Sequence, residues 1–212
     1  DSVYLYQVHF PGGRMSIEVL MNAMADALDE GTIRAAGVSN YSADDMKRAA
    51  DVLLKRGHRL ASNQVEYSLV HRSAEADGVL AACREIGATL IAYSPLGRGL
   101  LTGKYRPGQQ PKDWRKHFSY FSEDKAGMVA PLIEGLENVA DSHGKTPAQV
   151  AINWLARTPE VFPIPGAKNM EQARANAEAI GFEMTDAEAS SLDELSAAFK
   201  VAKPFGRGGF RS

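Results

Sequence analysis

Five short runs of β-branched, aromatic and aliphatic residues, at 3–9, 33–38, 61–66, 88–93 and 161–165, alternate with segments of helical period. The alternation predicts βα units and a parallel sheet, because strands joined by helical crossovers must run in the same direction. Helices are expected at 16–30, 43–56, 75–87, 125–143, 147–157, 169–180 and 186–199. Starts are marked by Thr146-Pro147-Ala148-Gln149, Asn169-x-x-Gln172 and Thr185-x-x-Glu188. In each, a short polar side chain accepts from an orphan amide and the Gln or Glu reaches back. Gly31, Gly57, Gly87 and Gly181 mark stops, where a left-handed residue is wanted. The basic, Gly-rich stretch 201–212 is expected to be a flexible tail.

The 212 residues are 44% hydrophobic and 24% charged, proportions that allow a sizeable core. With 24 basic residues against 26 acidic ones, the whole molecule has no general attraction for nucleic acid or an anionic membrane. No apolar run nears the roughly 20 residues that cross a bilayer. The single cysteine, Cys83, forms no internal disulfide and fits a reducing compartment; on the apolar face of a helix it reads as an inert core thiol. The chain enters its first strand at Val3 with no initiator Met and no lead-in, so a preceding segment is expected.

Ligands of parallel α/β folds lie at the carboxyl ends of the strands. Here those ends are polar: Gln7-Val8-His9, Gly37-Val38-Ser39-Asn40, Ser62-Asn63-Gln64-Val65-Glu66, Tyr93-Ser94-Pro95 and Pro163-Ile164-Pro165-Gly166. Each residue also has an ordinary structural reading. His9 alone reads equally as a satisfied histidine at a strand end, and Ser39-Asn40 as a turn pair. Gln64 reads as a buried side chain bonded to backbone, Tyr93 as core with a satisfied hydroxyl, and Gln172 as half of a capping box. The functional reading gains because the strand-end residues share one face.

The long connection 96–124 carries Arg98, Lys104, Arg106, Lys112, Arg115 and Lys116 against Asp113. A loop of that length is functional or unstructured, and its charge suits an anionic ligand as well as a solvated surface. Within it, Gly97–Lys104 is no phosphate loop: no Gly stands five residues before Gly103, and Tyr105 follows the lysine. His58, His71, His117 and His143 show no metal-ligand spacing, so no metal is expected. A nucleophile elbow of the form GxSxG is absent from the sequence.

The segments LYQVH, GVSNY, NQVEYSL, AYSPLGRGLLTGKY and PIPGAKNMEQARAN, in this order and at barrel-unit spacing, closely resemble the aldo-keto reductases. More narrowly, they are similar to the branch with plastid and bacterial oxidoreductases, pyridoxal reductases and potassium-channel β-subunits. The likeness covers nearly all of residues 1–200. It implies an α/β fold, a parallel (β/α)8 TIM barrel, of which residues 1–200 would supply about five C-terminal βα units. It also implies an NADP(H)-dependent oxidoreductase that reduces aldehyde or ketone groups of a small molecule by hydride transfer, in cytoplasm or plastid stroma.

By position, His9 resembles the active-site histidine that orients the carbonyl. Ser39, Asn40 and Gln64 resemble the ligands of the nicotinamide carboxamide, and Tyr93 the aromatic residue stacked on the nicotinamide. Ser94, Pro95, Leu96 and Lys104 match the segment along the pyrophosphate. Gly166, Lys168, Gln172 and Asn176 match the residues that hold the adenosine and its 2′-phosphate; the last three, at i, i+4 and i+8, are expected on one helix face. The family's proton donor, a Tyr assisted by Lys and Asp, comes from units before the His-bearing strand. Tyr4 and Tyr6 lie inside that strand and do not replace it, so the chain alone is expected to be inactive and the full-length protein active. Neutral Gly166-Ala167 and Ala175 stand where relatives carry Lys-Ser and Glu, so preference for NADP(H) leans on Lys168. The same likeness leaves room for a non-catalytic nucleotide-binding subunit, redox-sensing or part of a larger assembly.

Overall fold

A computed structural model of the chain describes residues 1–11, 13–105, 109 and 111–201. Arg106 and nearly all of the expected tail lie outside the described residues. Two compact units are present, one built from Asp1–Val65 and Ser73–Ile91, the other from Glu66–Arg72 and Ala92–Val201.

In the first unit, β1 (Val3–Val8), β2 (Ile33–Ser39) and β3 (Leu60–Glu66, its last residue in the second unit) pair in parallel. Leu5 stands opposite Ala35, and Val38 opposite Asn63. The first residues of β4 (Thr89–Tyr93) follow β3, so strands are ordered as in the sequence. Helices α1 (Ile17–Asp29) and α2 (Ala43–Lys55) begin where Ser16 and Ser42 accept the amides of Val19 and Asp45. They pack on each other and bury Met21, Met24, Met46 and Leu53. The helix expected at 75–87 is broken into α3 (Ser73–Ala76) and α4 (Val79–Ile86), because Gly78 takes φ 74°, which no right-handed helix accommodates. Cys83 is fully buried in α4, as expected. Tyr4 and Tyr6 lie within β1 with 75% and 54% of their surface exposed.

In the second unit the end of β4 precedes β5 (Val161–Pro163), which is shorter than the expected 161–165. Pro163 and Pro165 lack donors, although the Ile164 amide still donates to the Ala92 carbonyl at 3.0 Å. Helix α5 (Glu123–His143) packs on α6 (Pro147–Ala156) and on α8 (Asp186–Leu195), and α6 on α7 (Met170–Ala177). Leu132, Ile133, Leu136, Val150 and Leu155 form the core. The expected helix ends at 180 and 199 are 3-10 turns, at Glu178–Ile180 and Ala197–Phe199. Gly181 is right-handed at φ −88°, because the 3-10 turn before it already redirects the chain, whereas Gly144 at φ 59° closes α5. The loop 96–124 contains three 3-10 helices, at Gly97–Thr102, Trp114–His117 and Ser119–Phe121.

Both Thr-led capping boxes close as expected. In the second of them, Glu188 also meets His143, whose Nε2 lies 3.0 Å from each carboxylate oxygen. Burial pushes the Glu188 carboxyl up, but His143 and the amide and hydroxyl of Thr185 outweigh it and hold it below its ordinary range. A carboxylate depressed in the folded state contributes stability above its unfolded pKa and loses it as pH falls through the lowered value. Glu188→Gln, which keeps the capping hydrogen bond, is therefore expected to flatten the loss of stability below the ordinary Glu value of 4.5. Urea unfolding across the acid range measures it.

Candidate functional site

The polar end of the first unit's strands is a bonded network rather than a set of independent turn residues. Ser39 is 5% exposed and its Oγ donates to the Gln64 carbonyl at 2.8 Å. The Asn40 amide donates to the same carbonyl at 2.9 Å, while its Nδ2 donates to the His9 carbonyl at 3.2 Å and to Ser39 Oγ at 3.1 Å. Asn40 sits at φ 60°, a left-handed conformation that Asn tolerates better than most residues. Gln64 Nε2 donates to Gln7 Oε1 at 3.1 Å, and Gln7 Nε2 in turn donates to the Val38 carbonyl and Ser62 Oγ. Gly37 makes room for this chain of amides: a Cβ there would collide with Ser62 Oγ and come within 3.0 Å of Gln7 Cγ. His9 is exposed, stacks on Phe10 at 4.2 Å and makes no hydrogen bond through its ring among the described residues.

This set of two hydroxyls and three carboxamides, oriented by fixed partners, offers donors and acceptors without net charge. It suits a planar neutral amide.

In the second unit, β4 ends at half-buried Tyr93 and the chain turns through Ser94 at φ 52°. Pro95 is buried and Leu96 half-buried. Gly97, Arg98 and Gly99 follow with φ of 53°, 54° and 96°, three left-handed residues in a row. Burial, then the nearby Glu66 carboxylate, raise the Tyr93 hydroxyl above its ordinary pKa, against the pull of Arg98 and the Glu66 backbone. Lys104 is exposed and forms no ion pair among the described residues; its Nζ lies 5.4 Å from the Tyr105 ring.

The positive charge of the loop is smaller than its sequence suggests. Arg98 is paired with Glu66, and Arg115 grips Asp113 through Nε at 2.8 Å and Nη2 at 2.7 Å. Among the described residues, Lys104, Lys112 and Lys116 are the loop's cations without an ion pair.

Lys168 precedes α7 instead of sharing a face with Gln172 and Asn176, because Asn169 is the N-cap. The third capping box is accordingly half made. Asn169 Oδ1 accepts the Gln172 amide at 2.9 Å, whereas Gln172 Oε1 accepts the amide of Lys168 at 2.8 Å. Asn176 Nδ2 donates to the Gly166 carbonyl at 3.3 Å. These bonds fold the segment 166–176 on itself and leave the Lys168 side chain exposed, again with no ion pair among the described residues.

Sequence reasoning missed the supporting residues. Gln7, Asn63 and Glu66 all stand in the polar strand ends, but which side chain each one holds depends on register between strands, which single-strand patterns do not encode.

The family model for the aldo/keto reductase family matches residues 1–197. An uncharacterised oxidoreductase of Mycobacterium tuberculosis is 39% identical over 210 residues, covering 99% of this chain and 63% of that protein. An aldo-keto reductase of Schizosaccharomyces pombe, named with NADP(+), is 34% identical over 199 residues, covering 92% of this chain and 57% of the relative. The solved glycerol dehydrogenase of Gluconobacter oxydans superposes with a TM-score of 0.83 at 28% identity, covering 100% of this chain and 63% of its own. The chain thus spans about three-fifths of the length of the relatives it matches. A family match across nearly the whole chain, together with the parallel strands and their polar carboxyl ends, places this chain in the aldo/keto reductase family.

Proposed function

We propose that the full-length protein is an NADP(H)-dependent oxidoreductase that reduces an aldehyde or ketone group of a small molecule. This chain then supplies five βα units of a (β/α)8 barrel, in keeping with the five strands among its described residues and with relatives that are longer in nearly the same proportion. The observation that carries the reading is the network of Gln7, Ser39, Asn40 and Gln64, which fixes three carboxamides and a hydroxyl at the ends of three neighbouring strands.

In the first unit, Ser39, Asn40 and Gln64 hold the nicotinamide carboxamide, and exposed His9 orients the carbonyl oxygen of the substrate. In the second unit, Tyr93 offers its ring to the nicotinamide, Ser94, Pro95, Leu96 and Lys104 hold the pyrophosphate, and Gly166, Lys168, Gln172 and Asn176 hold the adenosine and its 2′-phosphate. When bound, the cofactor supplies the hydride. The proton belongs to the Tyr, Lys and Asp expected in units before β1, because Tyr4 and Tyr6 lie along the strand instead of at its end. A buried lone Cys83 suits a reducing compartment, cytoplasm or plastid stroma.

Fluorescence titration of the full-length protein with NADPH tests the reading, and failure to bind would sink it. Lys168→Ala is expected to weaken NADPH about tenfold or more and NADH less than about twofold, since one charge-assisted contact to the extra phosphate is lost. Equal losses for both nucleotides would remove Lys168 from the 2′-phosphate.

A further inference from the structure

The reading above assigns nothing to Glu66 and Arg98, yet Arg98 is held by an ion pair, a hydroxyl and an aromatic ring at once. Arg98 stands at φ 54° and ψ 30°, between two glycines that adopt the same hand freely. An arginine in that conformation costs energy that a glycine would not, so its side chain must return something. Its Nη1 and Nη2 reach Glu66 Oε1 and Oε2, the second at 3.2 Å, and Nη1 also donates to the Tyr120 hydroxyl at 2.6 Å. The guanidinium lies 3.8 Å above the Phe118 ring. Both members of the ion pair are only 15% exposed, and Arg115 Nη1 reaches the Arg98 carbonyl at 3.4 Å. One side chain therefore ties the end of β3 to the 97–102 turn and to the 119–121 turn.

The 97–102 turn lies directly between Ser94–Leu96 and Lys104, the residues proposed to hold the pyrophosphate. A segment already fixed in place loses less freedom on binding than one that must be ordered by the ligand.

We infer that Glu66 and Arg98 are positioning residues for the phosphate-holding segment 94–104, and that their bidentate pair sets nucleotide affinity without touching the nucleotide. The inference rests on the nucleotide reading given above. Its rival is that Arg98 is itself a phosphate ligand which Glu66 holds back, and the two differ in sign.

The test uses the full-length protein, with NADPH affinity measured by fluorescence titration and kcat and the cofactor KM by steady-state kinetics. Glu66→Gln keeps the shape and removes the charge; it is expected to raise the Kd for NADPH about tenfold, with kcat at saturating cofactor falling less than about threefold. Arg98→Lys keeps the charge but not the fork, and should lose about as much. Tyr120→Phe removes one hydrogen bond and should cost about threefold. The double variant Glu66→Gln/Arg98→Lys should be no worse than either single one, since both remove the same contact.

Unchanged affinity in Glu66→Gln overturns the inference, and tighter binding overturns it in favour of the rival. Should Glu66→Gln fail to fold by circular dichroism, Tyr120→Phe decides, and an unchanged Kd there overturns the inference. A wild-type protein that binds no NADPH overturns this inference and the nucleotide reading together, whereas wild-type binding with an indifferent Glu66→Gln overturns this inference alone.

Discussion

Replacing Asn63 with leucine is expected to lower stability by about 2–6 kcal/mol and to weaken the nucleotide binding proposed above in the same protein. Asn63 is fully buried, its Nδ2 donates to the Tyr41 carbonyl at 3.0 Å, and its Oδ1 accepts the Tyr41 amide at 3.4 Å. Leucine fills the volume but leaves both backbone groups of a fully buried residue unpaired, and each buried orphan costs about 1–3 kcal/mol. Nothing nearby compensates: the Tyr41 hydroxyl is itself buried without a partner among the described residues. The functional half of the effect follows from adjacency. Tyr41 succeeds left-handed Asn40, so the bonds that Asn40 makes to Ser39 and the His9 carbonyl depend on the turn that Asn63 fixes. Urea unfolding and NADPH titration of one preparation measure both. A variant that is destabilised yet binds normally would separate Asn63 from the site.

Gly97→Ala is expected to cost about 2–5 kcal/mol, from two sources that a second glycine separates. At φ 53° a β-carbon is strained, by about 1–2 kcal/mol, and at Gly97 that atom would also stand 2.6 Å from Val70 Cγ2, so overpacking adds about 1–3 kcal/mol. Gly31 has φ 71° with nothing within 4 Å, so Gly31→Ala carries the strain alone, about 1–2 kcal/mol. Denaturant unfolding of both variants gives the difference. Equal losses would mean that Val70 moves aside freely and that the tight approach of the turn to residues 66–72 has no energetic weight.

What the sequence disclosed, and what it did not, divides along a physical line. Local rules carried far: the Thr146 and Thr185 caps, the Pro147 start and the left-handed Gly31, Gly57 and Gly87 depend on a few neighbouring residues, and all are present. The break at Gly78 was not read, because a single glycine inside a helical period does not say whether it will be tolerated or will break the helix. The candidate site was legible as a list of residue types and opaque as a network. Gln7 lies 57 positions from Gln64, which it orients, and Glu66 lies 32 from Arg98. Lys168 shows the opposite failure, where an i, i+4, i+8 spacing looked like a helix face although the helix begins beyond its first member.

The strand order has a consequence for how the protein is made. β1 and β2, then β2 and β3, are partners that lie about thirty residues apart or less, so β2 and β3 each meet a strand that precedes them in the chain. During synthesis from the amino end, β2 and β3 therefore each emerge to find a neighbour already translated. None of these edges has to wait for a partner encoded far downstream, and the interval over which a strand stays open to a wrong chain is one helix long.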